Sequence, residues 1–164
     1  MQIPAGLSAA EFSLILRSIP FAGVEAGDLG GLIQMGKARM LASGETALTE
    51  GDNNPGLLIL LSGEMEIYLE QTAPDGGKRP GEVRLAMIKP GACMGEFSLI
   101  DQLPSSASAR ATRESRVFFI GAKDFRKFAF KNAEAGIAVY HNLLAETIRK
   151  VRGMDRELDM IRLG

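Results

Sequence analysis

Between residues 37 and 121 the chain is cut by Gly, Pro, Asn and Asp into apolar runs of four to eight residues. Breaks this frequent leave no room for a helical period, so the runs are read as strands. They fall at 37–41, 46–49, 57–62, 64–71, 83–88, 107–111 and 116–121. Seven short strands with turn residues between them predict a sandwich, roll or barrel. Between two of them, 72–81 carries Pro74, Asp75, Gly76, Gly77 and Pro80. That composition predicts a long hairpin loop of unconstrained length with Lys78 and Arg79 exposed.

Helical spacing governs the flanks. Phe12, Ile15 and Leu16 share one face of a helix over 8–17, and Ser8 and Glu11 are placed as a capping box. After Pro20, Leu29, Leu32 and Ile33 predict a second helix over 27–35, and Phe125, Phe128 and Ala129 a third over 123–130. From residue 132 onward there is no proline. Ile137, Leu144, Val151 and Leu158 fall seven apart, with Tyr140, Thr147, Met154 and Ile161 at the offset positions. A sustained seven-residue repeat edged by Arg149, Lys150, Arg152, Arg156 and Glu157 predicts a seam for a second helix rather than simple docking. Gly153 costs about 1 kcal/mol in a helix interior and is the expected place for that seam to bend or stop.

Charge and cysteine content restrict the function classes. Nineteen basic and 20 acidic side chains give a net charge of −1, which supplies no general attraction to nucleic acid or anionic lipid. Cys93 is the single cysteine, so intrachain disulfides and multi-cysteine metal sites are excluded by counting. The N-terminal stretch lacks a basic segment followed by a long apolar run, and no segment has the apolar length of a membrane span. A cytoplasmic protein without a membrane partner is expected.

Several motifs resemble chemistry and fail on context. Gly31 to Gly36-Lys37 has phosphate-loop spacing, but a predicted helix precedes it and Ala38 stands where a magnesium-binding hydroxyl belongs. Asp52, Asn54 and Gly56 hint at a calcium loop, yet Gly63 occupies the place of the closing Glu. His141 is the single histidine, too few for an imidazole-held metal, and no serine elbow accompanies it. Glu64 and Glu66 alternate on one strand and face the same side, where solvent or turn contacts suit them better than catalysis. No nucleophile, metal cluster or acid–base pair stands at usable spacing, so the chain is not expected to be an enzyme.

Gly44-Glu45, Glu50-Gly51-Asp52, the run from Leu60 to Ile67, Pro90-Gly91 and Gly95-Glu96-Phe97-Ser98-Leu99 follow one another in an order and spacing that resembles the cyclic-nucleotide-binding domain family. The resemblance extends from about Phe21 into the terminal helix. It implies a mainly β fold with flanking helices: an antiparallel β-roll, or double-stranded jelly roll, followed by a long C-terminal helix. The implied division is a helical segment at 1–36, the roll at 37–131 and a dimerisation-type helix at 132–164. In the family the stretch matching 95–106 forms a short helix with its flanking turns and cradles a cyclic phosphate. The resemblance therefore implies a ligand site at Gly95, Glu96, Phe97, Ser98, Ser105 and Ser106, with Glu96 holding the ribose.

The departure from the family pattern is at residue 105. The family places there the arginine that pairs with the cyclic phosphate; this chain has Ser105 after Pro104, and Ser106 next. A hydroxyl does not replace a charge-assisted bidentate pair. Arg110, on an alternating strand with Ala107 and Ala109, should face solvent, and Lys78, Arg79 or Arg84 would supply charge only by folding over the pocket. The implied function is a stand-alone regulatory module for a small anionic ligand, a cyclic nucleotide being the ligand implied and no resident cofactor, with output through a homodimerising C-terminal helix to an unidentified protein partner. The alternative is a ligand-independent scaffold in which Glu96 merely braces its turn. The chain ends at Gly164, and its basic residues there alternate with Asp155, Glu157 and Asp159, so no DNA reader is expected.

Overall fold

The fold is described from a computed structural model, covering residues 2–53 and 56–163, with side chains to residue 154. Helix α1 (Ala9–Arg17) is started by the capping box: the Glu11 N–H donates to Ser8 Oγ, and the Ser8 N–H to the Glu11 carboxylate. A 3-10 turn (Ile19–Phe21), unforeseen in the sequence, leads to α2 (Ala26–Met35). Lys37 then opens β1 at the close of α2, a helix-to-strand order opposite to that of a phosphate loop.

Among the described residues eight strands make two antiparallel four-stranded sheets. They are β1 (Lys37–Leu41), β2 (Thr46–Leu48), β3 (Gly56–Ser62), β4 (Met65–Leu69), β5 (Val83–Ile88), β6 (Cys93–Met94), β7 (Ser108–Ala111) and β8 (Ser115–Gly121). One sheet runs β1-β8-β3-β6 and the other β2-β7-β4-β5, the predicted β-roll. Strand β6 is the eighth; two residues are too few to show a period of two. Between β6 and β7 lies the short helix α3 (Glu96–Asp101), and after β8 come α4 (Ala122–Lys131) and α5 (Ala133–Leu163).

The continuous apolar run of β3 has a plain cause: both faces of the strand are buried. Leu58 and Leu60 point between the sheets, with Leu41, Met65, Met94, Ala109, Ala111 and Val117. Leu57, Ile59 and Leu61 point the other way, into a core shared with Ile15, Phe21, Leu32, Phe118, Phe125, Val139 and Leu143. Each such side chain contributes about 1.5–3 kcal/mol relative to exposure. The chain reverses into β4 at Gly63, where φ is +89° and a Cβ would meet the Glu114 carbonyl at 2.5 Å.

Helix α5 continues through Gly153 without a break, contrary to the expected bend. Ala135, Val139 and Leu143 bury it against the roll, where Tyr140 meets Phe125 edge-on at 5.0 Å between ring centres. The predicted seam is thus divided. Ile137, Leu144 and Val151 are exposed, joined by Ile148, whereas Tyr140 and Thr147 of the offset row are half-buried. The side chains of Leu158 and Ile161 lie outside the described residues, as does Asn54 of the suspected calcium loop.

The β4–β5 hairpin is pinned rather than free. Arg79 is three-quarters buried and grips the Glu50 carboxylate with both terminal nitrogens, at 2.8 and 3.0 Å, while also donating to the Glu70 carbonyl. Glu50 accepts from the Glu70 N–H as well, and Ser108 Oγ bridges the Glu50 N–H to the Glu70 carboxylate. The sequence reading of Arg79 as an exposed loop residue is therefore corrected: a buried acid draws it in. The hydrogen bonds from Arg79 hold the Glu50 carboxyl below its ordinary 4.5, against the opposing effect of burial. A depressed folded value means a contribution fully present above 4.5 and lost as pH falls through that lower value. Glu50→Gln should accelerate amide exchange across 72–81 by about an order of magnitude at neutral pH. Acidification through the depressed value should reproduce this in the wild type, and unchanged exchange in Glu50→Gln would show that the pair does not anchor the hairpin.

Candidate functional site

The strand β6 pairs with β3 through Met94 opposite Leu58 and Cys93 opposite Ile59, which fixes the chain immediately before residue 95. Gly95 then takes φ +83°, a conformation open to glycine, and turns the chain into α3. As a result Glu96 enters the interior as the first residue of α3, 5% exposed, with Ser98 6% exposed behind it. Downstream, the Ser105 N–H donates to the Asp52 carbonyl and the Gly51 N–H to the Ser105 carbonyl, both at 2.8 Å. The segment after α3 is thereby stitched to the turn following β2.

These pieces enclose a cavity of about 350 Å³, at the small end of the range for ligand pockets, roughly 300–1,000 Å³. Its wall is largely apolar, with Leu48, Ile67, Leu85, Ile88 and Met94 from the roll and Met154 from α5. Gly95, Glu96, Phe97, Ser98, Ser105 and Ser106 all line it, so the fold brings together the six residues singled out from sequence. The Ser105 N–H is already committed to Asp52, so Ser105 can meet a ligand through its hydroxyl, and Ser106 lines the cavity beside it.

The charge balance depends on α5. Lys150 Nζ donates to Glu96 Oε1 at 2.5 Å and lies 5.9 Å from the centre of the Phe97 ring. Burial alone would push the Lys150 ammonium down, but the Glu96 carboxylate outweighs it and raises the group above its ordinary 10.5. The ammonium is therefore charged at neutral pH, and the contribution of Lys150 to the pair is lost as pH rises through the raised value. Glu96 and Lys150 are the charged residues that line the cavity among those described.

The comparisons with known proteins agree with this architecture. The family model of the cyclic nucleotide-binding domain matches residues 38–132. The chain belongs to the cyclic nucleotide-binding domain family. It is 29% identical over 123 residues to the Cyclic AMP receptor protein of Thermus thermophilus, a match covering 75% of this chain and 52% of that protein. The chain thus spans about half the length of that relative. The solved catabolite activator protein of Thermus thermophilus superimposes with a TM-score of 0.70 at 27% identity, covering 88% of this chain and 63% of that one. A cyclic nucleotide-binding domain from Methylobacillus flagellatus gives a TM-score of 0.77 at 25% identity, with 94% and 87% covered.

Within this cyclic nucleotide-binding domain Arg79 and Arg110 are held outside the cavity, Arg79 by Glu50. Arg110 is on the outward face as expected, but it is only one-third exposed. Its guanidinium reaches Glu66 at 2.6 Å and Glu82 at 2.9 Å and lies 4.2 Å above the Tyr68 ring. That cross-strand pairing also accounts for Glu66, and Glu64 accepts from Thr112 Oγ1. Lys150 is the residue that sequence reasoning missed. It was visible as part of a charged helix edge, and it continues the row of buried Val139 and Leu143 by helical steps. That row reaches the cavity only once α5 has docked.

Cys93 also lines the cavity. Burial first, and then the Glu96 carboxylate, push its thiol up to about 12, with Lys150 opposing. Disulfide reagents should consequently label the native protein at pH 8 at least about 100-fold more slowly than the urea-unfolded chain. Labelling at comparable rates in both states would contradict the burial described.

Proposed function

We propose that this cyclic nucleotide-binding domain is a non-enzymatic regulatory module that senses a small anionic ligand, a nucleotide being the first candidate, and relays its presence through α5. The observation that carries this reading is the Glu96–Lys150 pair. The carboxylate lies in the pocket and its partner on α5, so whatever changes the pairing of one changes the anchoring of the other. Proteins of similar fold are described as bound to cAMP, among them the regulatory domain of Toxoplasma gondii PKA. A ligand shifts the helix only if it binds one arrangement of α5 better than the other.

The exposed row of Ile137, Leu144, Ile148 and Val151, about half or more accessible at each position, supports a second copy of the chain as the partner of α5. The repeat of seven matches the geometry of two helices in register. Leu144→Glu should convert a dimer to a monomer in sedimentation equilibrium without loss of fold. A wild type that is monomeric at all accessible concentrations would exclude the homodimer.

Thermal unfolding against cyclic mononucleotides, cyclic dinucleotides and linear nucleotides tests the ligand. A ligand at 100 times its Kd adds about 2.7 kcal/mol, which in a chain of this size raises the midpoint by about 5–10 °C. The shift should disappear in Glu96→Ala. The rival reading, a scaffold with a degenerate pocket, is favoured by the apolar wall and the mutual neutralisation of Glu96 and Lys150. It predicts no shift with any nucleotide.

A further inference from the structure

An anion entering the cavity needs a cation, and position 105 offers a hydroxyl. Two guanidinium groups of the roll are engaged: Arg79 by Glu50, and Arg110 by Glu66 and Glu82. Arg84 is 67% exposed and lies beside Glu66 at 3.9 Å. Lys150 differs from all of these, since it lines the cavity itself and is held there by Glu96, which also lines it. Its side chain is 41% exposed, so the four-carbon stem can turn without first breaking the core.

We propose that Lys150 is the anion-recognising residue of this pocket, supplied by α5 in place of the cation that the turn at Ser105 lacks; this rests on the ligand-binding reading above. The preferred ligand class is a phosphorylated sugar ring carrying a free hydroxyl, as in a cyclic nucleotide. On binding, the Lys150 ammonium exchanges the Glu96 carboxylate for a phosphate oxygen, and Glu96 accepts from the ligand hydroxyl instead. Lys150 keeps an ionic partner and Glu96 exchanges its ion pair for a hydrogen bond from a neutral hydroxyl, so both groups stay hydrogen-bonded in a largely apolar cavity, and the ligand's own contacts must offset the lost Glu96–Lys150 attraction. A neutral nucleoside offers Lys150 no replacement partner and leaves the original pair in place. Phe97, whose ring lies near the ammonium, stays beside it as it turns.

An ammonium on a flexible stem is a point charge with three rotatable donors, not a planar fork. Recognition by Lys150 therefore places weaker demands on phosphate geometry than a bidentate arginine would, and arginine at 150 should preserve it.

The test is isothermal titration of the full chain with cyclic AMP, cyclic GMP, inorganic phosphate and adenosine. It uses the wild type, Lys150→Met, Lys150→Arg, Glu96→Gln and the double variant Glu96→Gln/Lys150→Gln, each checked for fold by circular dichroism. The wild type should bind a cyclic nucleotide and not adenosine. Lys150→Met should weaken that binding by about 10- to 100-fold, the worth of a hydrogen bond to a charged group. Lys150→Arg should stay within about tenfold of the wild type. Lys150→Met leaves Glu96 buried without its partner and is the variant at risk of misfolding. The comparison of Glu96→Gln with the double variant, which buries no unpaired charge, then measures the same contribution. Equal or tighter cyclic-nucleotide binding on removal of Lys150 would make it a plug rather than a recognition group, overturning this proposal while leaving the ligand-binding reading intact. Absence of binding by the wild type to every anion tried would overturn both.

Discussion

Burial of β3 on both faces is the constraint on which the remainder of the molecule depends. Leu58 and Leu60 join the two sheets, and Leu57, Ile59 and Leu61 join the sheet to the helices. A one-residue slip would send each set into the wrong core, so the register of this strand is strongly specified. Two separate parts of the pocket are referenced to it. On one edge β6 pairs with β3 and delivers Gly95 and Glu96; on the helical face Val139 and Leu143 dock α5 and deliver Lys150. The two charged groups that meet at 2.5 Å are 54 residues apart in sequence, and β3 is the strand to which both are referenced.

The strands were legible because their boundaries are chemical. Gly, Pro or Asn interrupts the chain at most turns of the roll, the turn at 112–114 between β7 and β8 excepted, and the 37–41 and 83–88 runs match β1 and β5 end to end. What escaped were the pieces too short to carry a period, β6 and the 3-10 turn at Ile19–Phe21. The cavity-lining residues between Gly95 and Ser106 were singled out for a related reason: they fall in one short stretch, and a family pattern covers them. Arg79 and Lys150 were not, because each is placed by a buried carboxylate far away in sequence. No local property of the hairpin or of the helix reveals Glu50 or Glu96 as its partner.

The terminal helix shows how one repeat can serve two surfaces. A row seven residues apart was readable, but its division was not, since the edge-on contact of Tyr140 with Phe125 and the burial of Val139 decide which side faces the roll. Once that side is taken, Ile137, Leu144, Ile148 and Val151 are left outward. Gly153 lowers the local helix propensity by about 1 kcal/mol, too little to end a helix whose preceding turns are held by the core.

The position of the cation has a thermodynamic consequence. A cation carried on the roll would be in place whatever α5 did, and would add affinity equally to every arrangement of the helix. Equal affinity moves no population. A cation carried on α5 adds affinity only in those arrangements that bring residue 150 to the pocket, so ligand binding and helix position become linked, and the linkage is reciprocal. Glu96 already draws α5 toward the roll through Lys150. A ligand that takes over both partners therefore competes with an existing restraint, and the coupling it can exert equals the difference between the ligand-mediated contact and the direct ion pair. The strength of the Glu96–Lys150 pair thus sets the upper bound on silence without ligand and, by the same amount, the threshold that a ligand must exceed.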